Sequence, residues 1–169
     1  GGLVRGVDLT PPVVRSELAR HLKVGRVEDL TAPGTEPTIV LGRELARSLG
    51  VIPGESVTVV SPQGAMTAVG MVPKMRRFKV VGTAEVGMFE HDASLAYVSL
   101  PVAQEFAGLG DRVTGIEVRL HDPFRAKAVA AAIRGQLGFP YWVRDWMEMN
   151  KNLFAALQLE KTALFIIVT

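Results

Sequence analysis

"IVLGRELARSLGVIPGESVTVVSP" (Ile39 to Pro62) passes through strand, helix, turn and strand signals in one short stretch. Thr38 to Leu41 is apolar and β-branched, as a strand is. Arg43 to Leu49 reads as a short helix closed by Gly50, because glycine enters the left-handed conformation that ends a helix without a Cβ penalty. "IPGES" (Ile52 to Ser56) is a turn. After it, Val57 and Val59 alternate with Ser56 and Thr58, as in a half-buried strand. Strand and helix signals alternating at this spacing point to a layered mixture of the two.

The same alternation extends in both directions. Upstream, Leu3 to Val7 is an apolar run ending at Asp8. Thr10-Pro11-Pro12 predicts an N-cap followed by prolines in a first helical turn. Val14, Leu18 and Leu22 recur every four residues, giving an amphipathic helix, and "TAPGTEP" (Thr31 to Pro37) is a loop. Downstream, "PQGAMTAVGMVPKM" (Pro62 to Met75) has no sustained period and predicts an excursion from the sheet, a hairpin or a protruding loop. Its composition supports neither a packed helix nor a long regular strand. Phe78 to Thr83 and Leu95 to Leu100 read as strands, with a helix from Pro101. Val113 to Leu120 alternates, and predicts a strand with Ile116, Val118 and Leu120 facing inward. Asp122-Pro123 caps a helix whose apolar face carries Ala126, Val129, Ala130, Ile133 and Leu137. Tyr141 to Val143 is a last short strand, and Asp145 with Glu148 forms a capping pair for a final helix.

Composition limits the partners. The 169 residues are 48% hydrophobic and 21% charged, enough apolar content for a packed core. The formal net charge of +2 favours neither nucleic acid nor an anionic membrane surface, although the isoelectric point is near 9.2. Cysteine is absent, which excludes disulfides, thiol catalysis and cysteine-held metals.

No catalytic constellation emerges. His91-Asp92 and His121-Asp122 have the pairing that metal-dependent phosphohydrolases use, but the only other histidine is His21, and a metal site needs more ligands. Asp122 is explained as a helix cap. There is no phosphate-binding loop with its lysine, the glycines of "VGTAEVG" (Val81 to Gly87) have the wrong spacing for a dinucleotide turn, and no serine sits in a nucleophile elbow. The sequence therefore predicts no catalytic residues, no metal and no cofactor.

"PKMRRF" (Pro73 to Phe78) is the most suggestive exposed feature. One reading makes it a strand edge whose charges discourage aggregation. The other makes Pro73, Lys74, Met75, Arg76 and Arg77 a site for an acidic protein, because arginine makes bidentate contacts and anchors interfaces. Nucleic acid is disfavoured, since no aromatic platform surrounds the cluster.

The chain closes on "LEKTALFIIVT" (Leu159 to Thr169). A helix from Trp146 to Thr169 meets no proline or glycine and is amphipathic at first, through Leu153, Phe154 and Leu157. Its last eight residues are uncharged and mostly apolar. This run is either a buried terminal element or the first turns of a membrane span, which needs about 20 apolar residues. On the second reading Leu164, Phe165, Ile166 and Ile167 enter the bilayer. The native chain then continues for at least about a dozen more apolar residues, and another transmembrane helix precedes Gly1.

Six ordered stretches together carry a resemblance. They are "RGVD" (Arg5 to Asp8), the opening stretch, "VPKMRRFKVVG" (Val72 to Gly82), "GMFEHDASLAYVSLPVAQ" (Gly87 to Gln104), "VTGIEVRLHDP" (Val113 to Pro123) and "VRDWMEMNKNLFAALQLEK" (Val143 to Lys161). In this order they resemble the LolC/LolE family, permease subunits of the lipoprotein-releasing ABC transporter of Gram-negative bacteria. The resemblance implies an α+β fold, the mixed α/β periplasmic core domain of MacB/LolC type. Residues 1–145 would form the core, lacking an N-terminal portion that precedes "RGVD" in the family. Residues 146–169 would be the helix entering the second transmembrane segment.

What the family does sets the functional expectation. Its complex extracts lipoproteins from the bacterial inner membrane and passes them to the periplasmic carrier LolA. ATP is hydrolysed on a separate subunit, LolD, so this periplasmic domain would be non-catalytic and would couple membrane-helix motion to its partners. In LolC-type subunits a protruding hook engages the carrier, and its position here is Pro73 to Arg77. "GMFEHDASLAYV" looks more like the LolE-type version, so a LolC-like role, a LolE-like role and a homodimer all stay open, as does the second permease subunit. Two further readings remain: a MacB-type efflux or export permease, and a double-psi-barrel binding module suggested by "ELARSLGVIPGESVTVV" (Glu44 to Val60) alone.

Overall fold

The computed structural model describes residues 2–32, 34–67 and 70–150; for 62–67 and 71 only the backbone is described. The chain forms two compact units that divide between Thr114 and Gly115.

In the first unit the elements follow in order. Strand β1 (Leu3–Val7) leads to helix α1 (Pro12–His21), strand β2 (Leu22–Val24) and a 3-10 turn at Val27–Thr31. Strand β3 (Thr38–Gly42) and helix α2 (Arg43–Leu49) come next, then two long strands, β4 (Ser56–Thr67) and β5 (Gly70–Ala84). Helix α3 (Phe89–Asp92), strand β6 (Leu95–Ser99) and helix α4 (Leu100–Ala107) complete it. The sheet order is β1-β6-β3-β5-β2, and β4 pairs with β5 off this path. β1 runs parallel to β6 and β3 parallel to β5; the other pairings are antiparallel.

Every residue of β3 and of β6 is buried, so both faces of the sheet are covered. The two-residue period of a strand sends alternate side chains to two cores. Ile39, Leu41, Phe78, Val80, Ala96 and Val98 meet α2 and α4 through Ala46 and Phe106. Val40, Ala84, Leu95 and Tyr97 meet α1 through Leu18 and the 3-10 turn through Val27 and Leu30. The mixed α+β class is as expected. Helix α2 ends where the sequence places it, with Gly50 left-handed at φ 68°. The cap of α1 falls one residue late: Pro11 occupies it, while the Asp8 carboxylate accepts the Thr10 N–H at 2.9 Å.

The excursion is a hairpin, and the expected want of long strands is corrected. β4 has 12 residues and β5 has 15. Cross-strand hydrogen bonding holds this ribbon through backbone groups, which leave no period in the sequence. Its one irregularity lies between Ser61 and Ala65, opposite Pro73. Pro62 and Pro73 both lack an N–H, so the ladder has to break there.

The second unit contains a 3-10 turn at Pro123–Arg125, helix α5 (Ala126–Leu137) and a short helix α6 (Trp146–Met149). Both predicted caps form: Asp122 accepts from the Phe124 N–H at 3.0 Å and Asp145 from the Glu148 N–H at 2.9 Å. The predicted strands at Val113–Leu120 and Tyr141–Val143 do not form. A strand exists only where a neighbouring strand takes its backbone hydrogen bonds, and among the described residues no strand pairs with these segments. Ile116 is accordingly 85% exposed, Val118 is exposed, and Leu120 is only half-buried. Residues 151–169, with Leu164, Phe165, Ile166 and Ile167, lie outside the described residues.

Candidate functional site

The root of the hairpin holds the five residues singled out from the sequence, on consecutive positions of β5. A strand alternates its side chains between two faces. Lys74, Arg76 and Phe78 therefore share one face, and Met75 and Arg77 the other.

The first face turns towards α4. Phe78 is fully buried and meets the Phe106 ring edge-on, with centroids 5.9 Å apart. Lys74 lies above the same ring, 5.9 Å from its centre, and its Nζ donates to the Glu105 carbonyl oxygen at 2.8 Å. This places a positive charge at the C-terminal end of α4, where the helix dipole favours it. Arg76 Nη1 is 2.8 Å from the Glu105 carboxylate, and its side chain is 28% exposed. One glutamate thus receives two cations, one on its backbone and one on its side chain.

The second face is more open. Met75 is 67% exposed, opposite the exposed Val60 of β4. Arg77 Nε lies 3.2 Å from Glu36 Oε1, and the Ser56 hydroxyl donates to the other oxygen of Glu36 at 3.0 Å. The structure brings Lys74, Arg76 and Arg77 together at one root, and each already has a partner in its own chain. Sequence reasoning missed Glu36 and Glu105. No local signal marks them, since each lies about 30 to 40 positions from its arginine and ion pairs of that separation leave no periodicity.

The His-Asp pairs have structural explanations. Asp92 is buried, and its two carboxylate oxygens accept from the N–H groups of Val86 at 2.8 Å and Gly87 at 3.1 Å. It shapes the loop between β5 and α3. Asp122 is spent on its cap. An open groove beside α1 is lined by Arg15, Arg26 and Glu28, among others. These three side chains are exposed and paired among themselves at 3.9 and 3.6 Å. The hairpin root thus presents a braced basic and apolar surface on β5, ahead of the stretch that pairs with β3.

Residues 4–136 match the family described as the MacB-like periplasmic core domain. The chain is 41% identical over 167 residues to "Lipoprotein-releasing system transmembrane protein LolC" of Xylella fastidiosa, covering 99% of this chain and 40% of that protein. It is 38% identical over 174 residues to the LolC of Neisseria meningitidis serogroup B, covering 99% and 41%. With the LolE of Haemophilus influenzae it shares 24% over 134 residues, covering 78% and 32%. The chain thus spans about two fifths of the length of the LolC proteins it matches. The stretch that looks LolE-like sits within a chain whose identity to these LolC proteins is the higher. The chain belongs to the family of MacB-like periplasmic core domains, and within that family its likeness is to the LolC and LolE permeases.

Proposed function

We propose that this chain is the periplasmic domain of the permease subunit of an ABC transporter that releases lipoproteins from the inner membrane and passes them to a soluble periplasmic carrier of the LolA kind. The observation that carries this reading is the likeness of 99% of this chain to about two fifths of the LolC proteins. That likeness also favours lipoprotein release over the efflux or export role of a MacB-type permease. The domain makes and breaks no bonds. ATP is consumed by a separate LolD-type subunit, a second permease subunit completes the pore, and Leu164 to Ile167 enter the membrane as part of a longer span. Movement of that span tilts the domain, and differential contacts in the two states carry the coupling.

The hairpin root is the carrier-binding site in this reading, through Pro73, Lys74, Met75, Arg76 and Arg77. A net charge of +2 is too small to steer a partner from a distance, so the local cluster does so. The test is a titration of the domain with its cognate carrier. Replacing Arg76 and Arg77 with Glu weakens binding by several kcal/mol, because like charges are then juxtaposed. Added salt weakens the wild-type complex, since exposed charges are screened over about 8 Å at physiological ionic strength. The matched reversal at Arg125 and Lys127, both exposed in the second unit, leaves binding unchanged. Equal binding by wild type and the Arg76/Arg77 variant removes the hairpin root from the carrier interface.

A further inference from the structure

Arg76 and Arg77 are neighbours in sequence, yet they are held from opposite sides of the ribbon. Glu105, on the last turns of α4, holds Arg76 at 2.8 Å and takes the Lys74 ammonium on its carbonyl oxygen at the same distance. Glu36, in the loop before β3, holds Arg77 at 3.2 Å and is itself fixed by the Ser56 hydroxyl. Beyond this point the ribbon pairs with no third strand among the described residues. Ser61 pairs with Lys74 and Thr67 with Gly70 within the hairpin, whereas β3 and β2 pair with β5 only from Lys79 onward. A two-stranded ribbon twists and bends readily where no third strand or helix supports it. The two glutamates sit where that support ends.

We propose that Glu36 and Glu105 are positioning residues, a pair of opposed struts that hold the hairpin in one direction relative to the sheet and so pre-orient it for capture of an acidic protein partner. A single ion pair at the surface does little for overall stability. Two on opposite faces act differently: bending away from one presses the ribbon towards the other, so the pair resists motion in both senses. A ribbon already held in its bound direction loses less freedom on binding. The identity of the partner rests on the proposed carrier role; the struts themselves do not.

Two measurements separate these parts. The chain has no cysteine, so Leu49→Cys and Val72→Cys introduce the only thiols; both parent positions are exposed and lie in the first unit. Spin labels there report the hairpin's direction as a distance distribution, with no carrier present. With both struts intact the distribution is narrow. Glu36→Gln with Glu105→Gln broadens it, while circular dichroism melts stay unchanged. The swapped pair Glu105→Arg with Arg76→Glu narrows it again relative to Glu105→Gln alone. An unchanged width in the double variant overturns the struts, whatever the partner.

The second measurement is a carrier titration of the same double variant. Removing two negative charges strengthens attraction to an acidic partner if electrostatics alone acts. Pre-orientation requires the opposite, a loss of about tenfold in affinity through the freedom regained by the free domain. Tighter binding would instead make the glutamates masks over the arginines, and unchanged binding would detach them from capture; either result overturns pre-orientation even where the spin labels show the broadening. Failure of wild-type domain to bind carrier at all overturns the carrier reading and leaves the distance result standing.

Discussion

Phe106 of α4 meets Phe78 of β5 edge-on at 5.9 Å, beneath the Lys74 ammonium. This contact ties the hairpin strand to the helix that holds its root. Phe106→Ala removes a ring from a packed core and should destabilise the first unit by about 3–5 kcal/mol. Denaturant unfolding measures it. Phe106→Leu, which keeps most of the volume, should cost clearly less.

Asp92 is the second structural anchor. Asp92→Ala leaves the Val86 and Gly87 N–H groups without their acceptor in a partly buried loop, at a cost of about 1–3 kcal/mol. Asp92→Asn keeps one good acceptor and should retain part of that stability. Thermal melts of the two variants rank them. If His91 and Asp92 formed a metal site instead, added zinc would shift the wild-type melt and leave both variants unmoved.

Gly82 and Gly25 allow β5 and the end of β2 to touch. A Cβ on Gly82 would stand 2.4 Å from the Val24 carbonyl oxygen, and Gly25 has φ 88°. Gly82→Ala should push β2 off the sheet, seen as faster hydrogen exchange at Leu22 to Val24 and in the register partners Thr83 and Ala84.

Asp8 gives the expected acid response. The Thr10 backbone N–H holds its carboxyl below the ordinary carboxylate value. A depressed folded value favours the folded state above the ordinary range, and this contribution fades as pH falls through the depressed value. An NMR titration should therefore place the Asp8 midpoint below that of an unstructured aspartate. Asp8→Asn should lose less stability than wild type on acidification.

The segment from Val113 to Leu120 lies beside no strand among the described residues, and its backbone should exchange hydrogen quickly. Among the described residues of the second unit only Ala130 and Asp145 are buried, while Phe139 is 93% and Trp142 90% exposed. Hydrogen exchange at Ile116 to Leu120 should therefore be fast, close to that of backbone open to water. Slow exchange there would mean that these alternating residues find a strand neighbour in solution.

These elements show what a sequence discloses. Helix α2 and its Gly50 stop are legible because every determinant lies within eight residues. The caps at Asp122 and Asp145 are legible for the same reason. β3 and β6 are legible as apolar runs, but their places in the sheet are not, since partner choice depends on segments far along the chain. The Val113 to Leu120 pattern records a tendency to be a strand, and a neighbour has to complete it. The basic cluster is visible at Pro73 to Arg77, whereas the direction each arginine takes is set by Glu36 and Glu105, which only the fold brings near.

The parallel pairing of β1 with β6 also orders events in time. Leu3 bonds alongside Leu95, across roughly ninety residues of intervening chain. The hairpin of β4 and β5 closes across a few residues, an event of about 1–10 μs. During synthesis β1 leaves the ribosome well before β6, yet its docking edge is not made until β6 has emerged. The first of the six described strands to be translated is therefore among the last to find its place, and until then its apolar face is what a chaperone would hold.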